Sequence, residues 1–219
     1  MELSKEQIAA IKENPHSCTY PWVVDWINND LAKLPIGSIF VEFGTFVGGT
    51  MRKIAIANPH LVCHTVEKQV DNQDNNVLLN KLSADYGLGD TVQLSDLQQI
   101  QDVHLYDLEN VTTHICDSVN FRLDNVAAIF IDAGHKTAEV LDDLHQAWHI
   151  IKRGGYIYGD DIDSSGVYNA VRQFAKEKNI EYTIYSKAFR IQRTKQTIPN
   201  RSIGHETPYI FICGEIREK

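Results

Sequence analysis

The sequence predicts an α/β fold: a mostly parallel sheet of seven strands with helices on both faces and an antiparallel strand toward the C-terminus. Three observations carry that expectation. Short β-rich apolar runs alternate with helical periodicity from Ser38 to Phe174, the pattern of crossover units that build a parallel sheet. The last two strand candidates have no helix between them and read as a hairpin at one end of the sheet. The 219 residues are 43% hydrophobic and 23% charged, enough apolar material for one sizeable core and unlike a disordered chain.

Taken in order, residues 1–36 form a helical extension, with Val24, Ile27, Leu31 and Leu34 at helical spacing, Trp22 and Trp26 nearby, and Pro35 closing it. The main domain is expected over 37–219. Its first strand is Ser38–Phe43, running into Gly44, and a helix marked by Met51, Ile54 and Ala55 follows. Leu61–Val66 is the second strand, ending at Glu67. Val77, Leu78, Leu82 and Leu88 suggest one helix, and the Gln/Asp/Leu-rich stretch 91–110 reads as an irregular insertion. Thr112–Cys116 and Val126–Ile131 are strands that both run into Asp. Val140, Leu144, Trp148 and Ile151 mark an amphipathic helix that Gly154-Gly155 terminates. Tyr156–Tyr158 is the next strand, Val167, Ala170, Val171 and Phe174 the next helix, and Glu181–Ser186 and Pro208–Cys213 the final two strands.

Composition narrows the function classes. The 21 Lys and Arg against 29 Asp and Glu give a net charge of −8, which argues against nucleic acid as the main partner. No apolar run approaches the length of a membrane span and the first residues lack the apolar stretch of a secretory signal, so a cytoplasmic location without membrane attachment is expected. Cys18, Cys63, Cys116 and Cys213 are widely spaced with no C-x-x-C pair, as suits small buried hydrophobes in a reducing compartment.

Ligands of open α/β sheets bind outside the carboxyl ends of the strands, so the residues at those ends are the candidates. The first strand gives Glu42-Phe43-Gly44-Thr45-Phe46-Val47-Gly48, a glycine loop that opens a helix and offers free N–H groups. This differs from the G-x-G-x-x-G spacing of dinucleotide sites, and alone it equally describes a plain strand-to-helix turn. Glu67 suits the two hydroxyls of a ribose, or is a surface acid. Asp117 and Ser118 stand where an adenine edge would lie, or form a helix cap. Asp132, with His135 three residues on, follows the most apolar strand. Asp160 and Asp161 follow the next. Asp132, Asp160 and Asp161 make an all-oxygen set suited to Mg²⁺ or Mn²⁺, against the alternative of solvated loop acids.

The order E-F-G-T-F-V-G-G-T, a strand-end Glu, C-D-S, I-D-A-G-H, R-G-G-Y-I-Y-G-D-D and G-V-Y-N-A-V resembles the class I S-adenosylmethionine-dependent methyltransferases. More narrowly it is similar to the metal-dependent O-methyltransferases, of the catechol and caffeoyl-CoA type and of the macrolide sugar-hydroxyl type. The resemblance spans about residues 37–175 and implies a Rossmann-like methyltransferase fold. It implies S-adenosyl-L-methionine as cofactor, with Glu42, Gly44, Thr45 and Gly48 shaping the methionine end, Glu67 on the ribose, Asp117 and Ser118 near the adenine, and Asp132 at the edge of the pocket. It further implies Mg²⁺ on Asp132, Asp160 and Asp161, and His135 as general base in preference to Lys136, the acceptor being the hydroxyl of a sugar or glycosylated small molecule. A catechol or phenol acceptor is the alternative. Residues 91–110 and 187–207 match no motif of that family. A nicotinamide oxidoreductase would need the absent G-x-G-x-x-G loop, and a non-catalytic cofactor-binding module has no need of the carboxylates and His135. The expected partner is a small-molecule or glycan acceptor, with homo-oligomers open.

Overall fold

The computed structural model describes residues 3–68, 76–88, 92 and 94–194. The elements run α1 (Lys5–Glu13), α2 (Pro21–Leu31), β1 (Ile39–Phe43), α3 (Gly49–Ala57), β2 (Val62–Glu67), α4 (Asn76–Tyr86), α5 (Leu94–Leu105), β3 (Val111–Ile115), β4 (Val126–Ile131), α6 (Thr137–Ile150), β5 (Ile151–Gly159), α7 (Ser165–Lys178), β6 (Tyr182–Tyr185) and β7 (Ala188–Gln192). One seven-stranded sheet has the order β3-β2-β1-β4-β5-β7-β6. The first five strands are parallel, and β7 is antiparallel to both β5 and β6. The order reverses between β1 and β4, so a crevice opens at the carboxyl ends of the strands there.

Period-two alternation in the central strands feeds two apolar layers. Val41, Phe43, Ile129, Ile131 and Ile157 pack with Leu144, Ala147, Val171 and Phe174 of α6 and α7. On the opposite face Phe40, Ala128, Phe130 and Tyr158 meet Ile27 and Leu31 of α2 and Met51 and Ile54 of α3. Both faces of β4 are thus fully covered, and truncating Phe130 to Ala would cost about 3–5 kcal/mol. A third cluster joins Ile11, Leu82, Tyr86, Leu97 and Ile100 from α1, α4 and α5 around Val47 of the glycine loop.

Four expectations are corrected or fall outside the described residues. The stretch 91–110 holds a twelve-residue helix, α5, rather than an irregular insertion. Gly154-Gly155 does not end α6. The backbone turns extended at Ile151, and the glycines lie inside β5 at a register shift against β4. A Cβ on Gly155 would lie 2.8 Å from the Ala127 carbonyl oxygen, so that approach needs glycine. The strand that pairs with β6 is Ala188–Gln192, while Pro208–Cys213 lies outside the described residues. Cys63 is buried as expected, but Cys18 is exposed and Cys116 only partly buried.

Candidate active site at the carboxyl rim of the sheet

The sheet ladder extends one residue past several strands and fixes the site by backbone bonds. Gly44 N–H donates to Val66 O at 3.0 Å, Asp132 N–H to Phe43 O at 2.8 Å, and Asp160 N–H to Ile131 O at 3.2 Å. The carboxylates expected at the strand ends therefore stand side by side along one rim. Gly44 has φ +88, and a Cβ there would sit 2.1 Å from the Asp132 carbonyl oxygen, so the glycine is obligatory.

On the β1–β2–β3 side, Glu42 is 1% exposed, and its carboxyl accepts the Thr65 hydroxyl at 3.4 Å. Burial, then the charge of Asp132, pushes it well above the ordinary carboxylate range. Thr45 is buried beside it. Gly48, at φ +82, is the N-cap of α3. Glu67 accepts the Phe46 N–H at 2.6 Å, so one of its oxygens is engaged by the loop rather than left free. Burial raises its pKa against that bond. Asp117 caps a short 3-10 turn through Val119 N–H and pairs with Lys68 at 2.5 Å, and Ser118 donates to buried Asp143. The capping alternative is therefore realised at Asp117, while its place beyond β3 remains on the rim.

On the β4–β5 side, Asp132, Gly134, His135, Asp160, Asp161 and Phe189 line one pocket. His135 Nε2 lies 2.7 Å from Asp161 Oδ2. That bond raises the imidazole pKa and lowers that of Asp161. Asp160 is 7% exposed, and burial followed by repulsion from Asp132 pushes it up to about 7. Burial likewise takes Asp132 to about 6, although the Thr19 hydroxyl donates to its Oδ2 at 3.0 Å. Asp161 has φ +53, a left-handed conformation rare for a non-glycine residue. Lys136 points away to Glu139 at 3.1 Å.

The structure thus brings Asp132, Asp160, Asp161 and His135 together, but Asp161 is committed to His135. Among the described residues no three His, Cys, Asp or Glu side chains are grouped to hold a metal ion. The donor chemistry still fits a hard cation, because two adjacent carboxyls whose ionisation is suppressed are what a divalent ion would relieve. Three residues outside the sequence motifs complete the site: Thr19 on Asp132, and Gln101 and His104 of α5 on the glycine loop. Only α5 left a signal, in the helical spacing of Leu97, Ile100 and Leu105.

The family profile of a methyltransferase domain matches residues 41–162, more than half of the chain. The fold is shared with the O-methyltransferase NovP at TM-score 0.59, with 19% identity over 83% of this chain and 84% of that one. A SAM-dependent O-methyltransferase from Thermotoga maritima aligns at TM-score 0.53, with 15% identity over 87% of this chain and 72% of that one. No curated protein matches significantly. Among the described residues no helix is long and apolar enough to cross a membrane.

Proposed function

Because the chain belongs to the methyltransferase-domain family, the class I S-adenosylmethionine-dependent enzymes that its sequence resembles, we propose that it methylates a hydroxyl oxygen. The observation that carries the oxygen acceptor is the His135–Asp161 pair at 2.7 Å beside Asp132 and Asp160. The two halves of the rim divide the work. Glu42 supports the cofactor's charged methionine end, the Thr45–Gly48 loop its close backbone approach, and the Glu67 carboxyl a ribose hydroxyl, with Asp117 and Ser118 further out.

S-adenosylmethionine, when bound, would supply an electrophilic methyl group to an acceptor oxygen held in line with it, its sulfur keeping the electron pair of the bond given up. The hydroxyl proton goes to His135. Asp161 accepts from Nε2–H, which leaves Nδ1 as the lone pair that takes that proton. Asp132 and Asp160, with the Asp161 oxygen not bonded to His135, are the residues that would hold Mg²⁺ or Mn²⁺, and such an ion would lower the pKa of a bound hydroxyl. Thr19 keeps Asp132 oriented toward the pocket side of β4.

A sugar hydroxyl is the acceptor the I-D-A-G-H and D-D motifs favour. A phenol is the second reading, favoured by the half-exposed, stacked Tyr20 and Trp22, with ring centroids 4.5 Å apart. Tyr20 adjoins Thr19 at the site, and Lys187 lies over its ring. Screening glycosides and phenols for S-adenosylhomocysteine release, with and without Mg²⁺, tests the reading. Turnover of phenols alone would overturn the sugar assignment, and transfer only to nitrogen acceptors would overturn the O-methyl reading.

A further inference from the structure

The glycine loop is gripped residue by residue from a helix that no motif includes. Gln101 Nε2 donates to the Phe46 carbonyl at 2.9 Å. His104 Nδ1 lies 2.5 Å from the Val47 carbonyl. The Leu105 side chain fills the space a Cβ on Gly48 would need, 3.1 Å away. Positions 101, 104 and 105 of α5 lie on one helical face, and they meet three consecutive loop residues in order. Gln101 is 4% exposed and His104 fully buried, costly places for polar side chains that serve nothing. Phe46 explains the expense. It holds φ +48, a strained backbone for a large side chain. Its peptide groups are tied on both sides, the N–H to Glu67 and the carbonyl to Gln101. Arg52 of α3 locks α5 in place, bonding the His104 carbonyl at 2.5 Å and the Asp107 carboxylate at 2.6 and 3.1 Å.

We propose that α5 is a clamp holding the loop in its cofactor-binding conformation, with Gln101 as the positioning residue that acts through the Phe46 carbonyl. The proposal rests on the S-adenosylmethionine reading of the loop. A loop already fixed in its bound shape loses little freedom when the cofactor arrives, so release of the clamp weakens affinity without touching the ligand. Leaving the partly buried Phe46 carbonyl without its donor predicts roughly tenfold weaker binding.

The test is calorimetry of the full chain with S-adenosylhomocysteine, at pH 8 and pH 5, each variant referred to wild type at the same pH and checked for a retained melting transition. Gln101→Met is expected to bind about tenfold more weakly at both pH values. Gln101→Glu matches glutamine in shape but turns a carboxylate toward a carbonyl oxygen. It should bind more weakly still at pH 8 and return toward wild type at pH 5, where a protonated carboxyl can donate. If both variants stay within about twofold of wild type, or if Gln101→Glu shows no pH effect, the helix only packs and the clamp is overturned. Failure of wild type itself to bind S-adenosylhomocysteine would overturn the cofactor reading, and the clamp with it.

Discussion

The two sides of the rim differ in how far their charged groups are partnered. On the β1–β2–β3 side most charged and loop groups are partnered, Glu67 by Phe46 N–H, Asp117 by Lys68 and Val119 N–H, and the loop carbonyls by Gln101 and His104, while burial pushes Glu42 well above the carboxylate range. On the β4–β5 side Asp132 and Asp160 stand together with suppressed ionisation, and Asp161 is stabilised chiefly by its bond to His135. A satisfied, rigid side suits binding. A charge-crowded side suits chemistry, because it gains most from a proton, a cation or a substrate. Damage to one side should therefore spare the other.

The largest effect is expected on the crowded side. Asp161→Ala removes both the imidazole's partner and a carboxylate, and EDTA should act the same way, so each should reduce methyl transfer below detection. Mg²⁺ or Mn²⁺ should restore the EDTA-treated enzyme but not the variant. Full turnover in EDTA would mean that the carboxylates hold no metal. Next in size is His135→Ala, for which turnover should drop by roughly 10²–10⁴ while S-adenosylhomocysteine affinity is retained. In wild type the neutral, proton-accepting imidazole forms only above a pKa raised by Asp161, so turnover should climb with pH through a limb above the ordinary histidine value. A limb unchanged in His135→Ala would move the base role elsewhere.

Effects on the satisfied side should be smaller and confined to binding. Glu67→Ala removes the loop's N–H acceptor and the proposed ribose anchor together, and calorimetry should show a loss of about 1.5–3 kcal/mol in cofactor binding. An unchanged affinity would place the ribose elsewhere. A further readout, on the crowded side, is stability in EDTA. Asp160 at about 7 and Asp132 and Asp143 at about 6 are all raised above the unfolded value near 3.9. These carboxyls thus bind more protons in the native state than in the unfolded chain between these values, and the stability they contribute declines as pH rises through them. In melts referred to Asp160→Asn, which lacks the largest of these shifts, wild type should lose about 2 kcal/mol of stability between pH 5.5 and pH 8, with Mg²⁺ narrowing the gap. The same pH dependence in wild type and variant would show that the crowding is relieved in another way.

The same contrast explains what the sequence made legible. Each strand-end acid and glycine could be placed because apolar runs such as Val126–Ile131 announce their own ends. The support behind the loop was hidden because α5 spends part of its buried face on Gln101 and His104, which break the apolar rhythm of Leu97, Ile100 and Leu105. Strand β7 was hidden in a similar way. Arg190 reads as surface, yet it bonds Asp30 at 2.7 Å and lies over Trp26 and Tyr156. Gly154-Gly155 looked like a helix stop because glycine favours both a helix cap and a strand irregularity, and only the close approach of Gly155 to Ala127 separates the two. The His135–Asp161 bond was beyond reach, since motif spacing does not say which partner an imidazole selects.

The division of the rim is tested most directly by one variant measured in two ways. Asp160→Asn keeps the shape of a buried side chain and removes its charge from the crowded side. Calorimetry with S-adenosylhomocysteine and turnover with the best acceptor from the screen should then part company. Affinity should stay within about twofold of wild type while turnover falls by at least roughly a hundredfold. Affinity and turnover falling together, or turnover left intact, would contradict that division.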